Sequence, residues 1–181
     1  MNLNINSQIN ISSDETAFSE IVDDYLKPIY NFTYRLVGDK DTAEDLTQDT
    51  FVKAWKNLDR FDRSKSFKTW LFAIAKNTTY DWFKKKKEIS FSCFSDEEGN
   101  NPIENISSGE DLPDEILERS GLAEEMEKVL QKLPVHYRAI LLLRYKEEFS
   151  LHEIAEILDE PYNTVKSRHQ RGLGKLREAL A

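Results

Sequence analysis

The sequence contains few of the residues that break helices or form covalent cross-links. Its 181 residues include one cysteine, six glycines and five prolines. The single cysteine, Cys93, excludes an internal disulfide and a cysteine-based zinc cluster. No apolar run approaches the ~20 residues of a membrane-spanning helix, and residues 1–15 lack the basic start and apolar core of a secretory signal. These absences predict a cytoplasmic protein with no direct membrane insertion.

Catalytic and metal-binding signatures are absent as well. The three histidines, His136, His152 and His169, do not have the spacing of metal ligands, and no phosphate loop, nucleophile elbow or paired-carboxylate motif is present. We therefore predict no catalytic residue, no metal site and no cofactor. The protein is not expected to be an enzyme.

The charges are unevenly distributed along the chain. The net charge is −8, but residues 61–87 carry eight bases and two acids, and residues 128–181 carry ten bases and seven acids. Between them, residues 88–127 carry thirteen acids and one base. Two basic regions separated by an acidic segment are compatible with nucleic-acid binding, which the acidic average would argue against.

Apolar residues recur at spacings of three and four, so the chain is predicted to be all-α. Composition divides it into two small helical domains: an N-terminal three- or four-helix domain at 15–87 and a C-terminal four-helix domain at 121–181. Residues 1–14 are predicted to be disordered. Residues 88–120 are rich in Ser, Asn, Asp and Glu and are predicted to be a flexible acidic linker, because they cannot bury enough apolar area to offset their ordering entropy.

The first domain has signals for three helices. Apolar spacing predicts a first helix from Phe18 to Leu36, kinked or interrupted at Pro28 and ended by Gly38. Asp41 and Glu44 resemble a capping box that opens the second helix. The third is expected to start near Ser66 and to run into the four lysines at 84–87.

The last thirty residues have the pattern of a helix-turn-helix. Ser150 and Glu153 form a capping box, Pro161 ends the first helix, and Asn163 or Thr164 could cap the second. On the second helix the inward side carries Val165, His169, Gly172, Leu176 and Leu180. Its outward side carries Asn163, Lys166, Ser167, Gln170 and Arg177, flanked by Arg171. Amides, hydroxyls and cations at the start of such a helix suit base edges in the major groove. The alternative is a solvated face, but the caps, the turn and the polar composition together favour DNA binding.

The third helix of the first domain has a second basic pattern. Its predicted outward side carries Phe72, Lys76, Thr79 and Phe83, with Tyr80 beside them. Aromatic rings interleaved with lysines suit unstacked bases of a single strand. The same rings could instead be covered by another helix, which is common for aromatic stripes. This segment alone does not decide between the two.

Three segments resemble one known family. Asp41 to Trp55 looks like the polymerase-binding helix of extracytoplasmic-function (ECF) bacterial sigma factors. The segment from Phe67 to Asn77, with Asp81 and the lysine tetrad, resembles their downstream-promoter helix. Residues 133–138 and 150–171 resemble their C-terminal domain. The resemblance covers about residues 15–181, in the family's order and spacing.

The resemblance implies a dissociable initiation subunit of RNA polymerase. Its partners would be core RNA polymerase, promoter DNA (duplex upstream, single-stranded downstream) and an anti-sigma factor. The implied polymerase-binding residues are Asp45, Gln48, Asp49 and Val52. The implied residues for the downstream element are the loop at 62–66, which includes Lys65, and Phe72, Lys76, Asn77, Tyr80, Phe83 and Lys84. The implied residues for the upstream element are Asn163, Thr164, Lys166, Ser167, Arg168, Gln170 and Arg171.

One departure from the family and one alternative function remain open at this point. His169 stands where the family normally has an aliphatic residue, so packing of the recognition helix could be pH-sensitive. The alternative is a conventional helix-turn-helix regulator whose residues 15–87 sense a ligand or dimerise. It predicts a homodimer and DNA binding without polymerase. The aromatic-lysine stripe and the acidic face of the second helix argue against it.

Overall fold

The computed structural model describes residues 15–88 and 128–180, and the structural statements below concern these residues. They form helices joined by turns, with no strand, which confirms the all-α prediction. The helices are α1 (Glu15–Val37), α2 (Lys40–Asn57), a 3-10 turn (Leu58–Arg60), α3 (Phe67–Glu88), α4 (Val135–Tyr145), α5 (Leu151–Leu158) and α6 (Tyr162–Leu180), and residues 128–131 are also helical. The predicted disordered N-terminus (1–14), the predicted linker beyond residue 88 and the predicted domain start at 121–127 lie outside the described residues.

The three N-terminal helices enclose one apolar core. α1 packs on both α2 and α3, and Phe32 of α1 meets Phe72 of α3 edge to face, with ring centroids 5.5 Å apart. The buried side chains of this half include Ile21, Ile29, Phe32, Leu36, Phe51, Ala54, Leu71 and Phe72. Full burial of one large apolar side chain contributes about 1.5–3 kcal/mol, so this core holds the half together.

Pro28 does not interrupt α1, contrary to the sequence prediction of a possible break. The helix continues from Glu15 to Val37. Ile29 and Phe32, which follow the proline, are 0% and 1% exposed on the same buried side as Ile21. Because helical stability in proteins comes mainly from packing of an apolar face, this burial outweighs the backbone hydrogen bond that proline cannot donate.

The turn between α1 and α2 begins the second helix earlier than predicted. Gly38 ends α1 in the left-handed conformation, with φ of 75°. The next residue, Asp39, is extended, and its Oδ1 accepts a hydrogen bond of 2.8 Å from the Thr42 amide. The bonds from Thr42 lower the pKa of the Asp39 carboxyl. The predicted cap at Asp41 was therefore wrong, because the left-handed glycine leaves Asp39 already placed to cap the helix.

The two halves share a continuous core. α5 packs on α3, and α4 packs on α1. Phe72 of α3 and Phe149, just before α5, contact each other with ring centroids 5.1 Å apart. Within the C-terminal half, α4 follows Pro134 as predicted, and the core between its helices contains Ile140, Leu143, Ile154, Ile157 and Val165. The helix-turn-helix thus lies directly against the N-terminal helices.

We expect Gly174→Ala to raise the free energy of unfolding by about 0.5–1 kcal/mol. Gly174 lies inside α6, and a Cβ there would meet no atom within 4 Å. The matched control is Gly38→Ala, which should be destabilising because Gly38 has a positive φ. Urea unfolding followed by circular dichroism measures both. A loss of stability in Gly174→Ala would contradict the expectation.

Candidate nucleic-acid interface

The helix-turn-helix is built by two short-range devices. The Ser150 amide and hydroxyl both donate to Glu153 Oε2, at 2.8 and 2.7 Å, and the Glu153 amide donates to the Ser150 hydroxyl at 3.3 Å. This confirms the predicted capping box at the start of α5. Asp159, with φ of 55°, ends α5 in the left-handed conformation, and α6 begins at Tyr162 after Pro161. Asn163 and Thr164 therefore lie inside the first turn of α6 and do not cap it as expected.

The outward side of α6 has the predicted polar and basic character. Val165 is 0% exposed and fixes the inward side. Four of the predicted upstream-element residues are exposed: Asn163, Lys166, Gln170 and Arg171. Thr164 and Ser167 are half-buried, and the Ser167 hydroxyl donates to the Thr164 carbonyl at 3.0 Å. A row of exposed donors and cations at the start of this helix can reach base edges and phosphates.

Arg168 does not lie with the other predicted upstream residues. Its NH1 group donates to both carboxylate oxygens of Glu160, at 2.5 and 2.6 Å. The pair joins α6 to the turn that precedes it, and the Arg168 side chain is 34% exposed. In this structure Arg168 therefore braces the turn instead of presenting its charge to solvent.

His169 is half-buried against α4. Its Nε2 lies 3.0 Å from the Tyr145 hydroxyl, and the two rings are stacked with centroids 5.7 Å apart. Burial, and secondarily Arg144, lowers the pKa of His169. A neutral imidazole thus substitutes for an aliphatic side chain here by sharing a polar contact with Tyr145.

The predicted polymerase-binding residues form one exposed stripe on α2. Asp45, Gln48 and Asp49 are exposed, and Val52 is 49% exposed. The opposite side of the helix is buried through Leu46, Phe51 and Ala54, among others. Trp55, 41% exposed, continues the stripe by one turn. The sequence analysis did not assign Trp55 to this surface, although its position three residues after Val52 could have indicated it.

The aromatic-lysine stripe of α3 is covered, so the expectation that it faces outward was wrong. Phe72 and Thr79 are 0% exposed and Lys76 is 6% exposed. Tyr80 and Phe83 are half-buried, and burial raises the pKa of the Tyr80 phenol. The physical reason is the alternative that the sequence left open: α5 and the loop before it pack over these rings. Of the residues predicted for the downstream element, Lys65, Asn77 and Lys84 are exposed.

The loop before α3 presents cations above a cluster of rings. Asp62 Oδ1 accepts bonds of 3.0 and 2.7 Å from the Ser64 amide and hydroxyl; these bonds lower the pKa of Asp62. Arg63 and Lys65 are exposed. Beneath them the half-buried rings of Phe61 and Trp70 lie 5.0 Å apart. The sequence analysis assigned the loop but not these two rings, which could stack on an unpaired base.

Two further searches were negative across the described residues. No group of three or more histidine, cysteine, aspartate or glutamate side chains could hold a metal ion. In the same part of the chain, no helix is long and apolar enough to cross a bilayer.

The architecture defines a helical DNA-binding protein, and comparison with known proteins identifies its family. The family model "Sigma-70 region 2" matches residues 21–89, and "Sigma-70, region 4" matches residues 123–176. The ECF RNA polymerase sigma factor SigW of Bacillus subtilis is 38% identical over 169 residues, covering 92% of this chain and 90% of SigW. The RNA polymerase sigma factor YlaC of the same organism is 32% identical, covering 91% of this chain and 92% of YlaC. The chain belongs to the ECF RNA polymerase sigma factors.

A solved structure has the same fold over nearly the whole chain. It is the sigma factor RpoE in complex with the anti-sigma factor NepR from Bartonella quintana, at 29% identity and a TM-score of 0.73. The match covers 90% of this chain and 96% of that one. The arrangement of helices in two regions is therefore that of a sigma factor.

We expect Ser150→Ala to lower the free energy of unfolding by about 1 kcal/mol, because it removes the hydroxyl that caps α5. Ser167→Ala is the matched control. The Ser167 hydroxyl donates to a carbonyl within α6, and its loss should change stability by less than about 0.5 kcal/mol. Equal urea midpoints for the two variants would show that the capping box does not stabilise the helix-turn-helix.

Proposed function

We propose that this chain is an alternative sigma factor that binds core RNA polymerase and directs promoter-specific transcription initiation. It acts as a non-catalytic subunit that leaves polymerase after initiation. The carrying observation is that one chain exposes a polar, partly apolar stripe on α2 and a polar, basic face on α6. A polymerase subunit needs the first surface, and a reader of duplex DNA needs the second.

The stripe on α2 is proposed to dock on polymerase. Asp45, Gln48, Asp49 and Val52 combine carboxylates with an exposed apolar side chain. Trp55 extends the apolar part, and tryptophan is enriched among residues that dominate interface energetics. Because the core of the N-terminal half fixes the other side of α2, this surface is rigid before docking.

The two DNA elements are proposed to be read by different chemistry. Lys166, Gln170 and Arg171 of α6 read the upstream element as duplex, with the support of Asn163, Thr164 and Ser167. Arg168 contributes through its bond to Glu160, which holds the turn before α6. The downstream element is read as a single strand by Lys65 in the loop at 62–66 and by Phe72, Lys76, Asn77, Tyr80, Phe83 and Lys84 of α3.

Regulation and location follow from the same role. Control by an anti-sigma factor is proposed, since the structurally similar RpoE was solved with NepR bound. The working location would be the cytoplasm, with the nucleoid when the chain is active. The boundaries at 15–87 and 121–181 are proposed as the two functional domains, joined by the acidic segment between them.

Run-off transcription with purified core polymerase, with and without this chain, tests the proposal. Specific transcripts that depend on the chain are expected. The competing role, a conventional regulator, predicts instead a homodimer that binds an operator without polymerase. Sedimentation of the free chain and duplex binding without polymerase distinguish the two.

We expect Asp45→Lys with Asp49→Lys to abolish binding to core polymerase while leaving the fold intact. Both side chains are exposed, and surface changes of this kind usually alter stability by less than ~0.5 kcal/mol. The matched control is Asp23→Lys with Asp24→Lys, the same charge change at two exposed positions of α1. Wild-type affinity of the α2 variant in a pull-down would exclude this stripe as the docking surface.

We expect Gln170→Ala and Lys166→Ala to relax the choice of upstream sequence, because a side chain that reads a base edge contributes ~1–3 kcal/mol of discrimination between bases. Lys175→Ala is the control, because Lys175 is exposed on the same helix further from its start. Sequencing of duplexes that the holoenzyme selects from a randomised library measures the effect. A uniform loss of affinity without relaxed selection would assign these side chains to phosphates instead of bases.

A further inference from the structure

The side of α3 proposed to read single-stranded DNA is covered in this structure by the chain itself. Phe72 and Thr79 are fully buried, and Lys76 is 6% exposed. The covering element is α5 with the loop before it and the turn after it. A surface cannot both bind these elements and bind a nucleic acid, so the covering contacts decide when α3 is available.

The contacts to Lys76 supply what a nucleic-acid backbone would supply. Its amine donates to the Leu158 carbonyl at 3.2 Å and to Asn77 Oδ1 at 2.8 Å. Leu158 is the last residue of α5, where backbone carbonyls lack helical partners and a cation is favoured. The carboxylates of Asp159 and Glu160 act favourably on the charge of Lys76, although burial lowers the pKa of its amine overall. Oxygen acceptors and negative charge thus take the place of phosphate.

The ring contacts take the place of bases. Phe149 packs edge to face on Phe72, with centroids 5.1 Å apart and planes at 73°. Lys68 of α3 fastens the same loop, since its amine donates to the Glu147 carbonyl at 2.6 Å and lies 4.6 Å from the centre of the Phe149 ring. The ring that a base would use is therefore occupied by an aromatic side chain from the other half.

A separate contact holds α4 against the end of α1. Arg138 NH1 donates to the Arg35 carbonyl at 3.1 Å, while its NH2 donates to the Leu133 carbonyl at 3.1 Å within its own half. The joint between the halves is thus made at two places, on α3 and on α1. Two spaced attachments fix an orientation, which a single hydrogen bond would not.

The other two proposed surfaces stay open in the same arrangement. Asp45, Gln48, Asp49 and Val52 on α2 are exposed, and so are Lys166, Gln170 and Arg171 on α6. The joint consequently hides one surface of three. A chain in this form can meet polymerase through α2 before its single-strand surface is uncovered.

We propose that the packing of α5 on α3 is an autoinhibitory contact, in which the helix-turn-helix occupies the single-strand surface of α3 until the chain docks on core polymerase. The inference rests on the proposed function for the nature of the excluded ligand. Docking through α2 and separation of α5 from α3 are then ordered steps. The free chain binds single strands weakly, because affinity is reduced by the fraction of molecules that are open.

The first test measures the distance between the halves. Spin labels are placed at two exposed positions, through Asp59→Cys and Glu178→Cys in a Cys93→Ser background. Pulsed electron paramagnetic resonance should give one narrow distance distribution for the free chain and a longer one after core polymerase is added. A broad distribution in the free chain, or an unchanged distance on polymerase, overturns the proposal.

The second test closes the contact chemically and reopens it. Lys68→Cys and Glu147→Cys, also in the Cys93→Ser background, place thiols on the two sides of the joint, and a cleavable bismaleimide links them. The probe is a fluorescein-labelled single strand of mixed sequence, about 15 nucleotides long so that it spans a typical single-strand site, with binding followed by anisotropy. We expect the linked chain to bind the probe about fivefold or more weakly than the same sample after cleavage, the lower end of typical coupling between sites. Equal affinity before and after cleavage overturns the proposal.

Controls separate this inference from the proposed function. The linked and cleaved chains should bind core polymerase equally well, since α2 is untouched; loss of polymerase binding on linking would mean that closure acts on docking, and would contradict the proposal. Run-off transcription by the cleaved chain tests the proposed function separately. If the cleaved chain fails there while linking still weakens probe binding, the function is wrong and the masking contact stands.

Discussion

The meeting of Lys76 with the end of α5 is the interaction on which the placement of the helix-turn-helix depends. A largely buried ammonium group needs oxygen acceptors, and the last carbonyls of a helix need donors. Lys76 Nζ and the Leu158 carbonyl meet both requirements together. Because α6 follows α5 by a short turn through Asp159, fixing the end of α5 also fixes the direction of α6. The exposure of Lys166 and Gln170 thus depends on an interaction that neither residue makes.

Glu160 links this joint to the recognition helix. Its carboxylate binds Arg168 and also acts on the charge of Lys76 and on the phenol of Tyr80. Ion pairs that are partly shielded from water are stronger than those on an open surface. The Arg168 side chain is about one-third exposed, so its bond to Glu160 belongs to the stronger class. One acidic residue therefore connects the surface of α3 with the brace of α6.

Periodicity and capping signals were sufficient to predict the helices, because both are local. The α5 capping box, the turn through Pro161 and the outward position of Lys166 and Gln170 follow from spacing within one helix. The stripe on α2 was also predictable, since its opposite side is continuously apolar. The failures are non-local. Pro28 is tolerated because residues distant in sequence bury the helix around it.

The α3 stripe could not be assigned from its own segment. Aromatic side chains and lysines look the same in sequence whether they face solvent or another helix. The deciding partners, Phe149 and the Leu158 carbonyl, lie more than seventy residues away. Arg168 was misjudged for a related reason, because helical spacing places a side chain near an edge but does not reveal that Glu160 will bind it.

The ring pair at the joint has a consequence for the physical handling of the molecule. Phe72 and Phe149 are 0% and 3% exposed while the halves are together. Separation in water, with no partner present, would uncover both rings along with neighbouring apolar side chains. Contiguous apolar patches of this kind promote association of like molecules. The closed arrangement is thus also a storage form, in which the chain stays dispersed at concentrations where an open one would stick to its own copies.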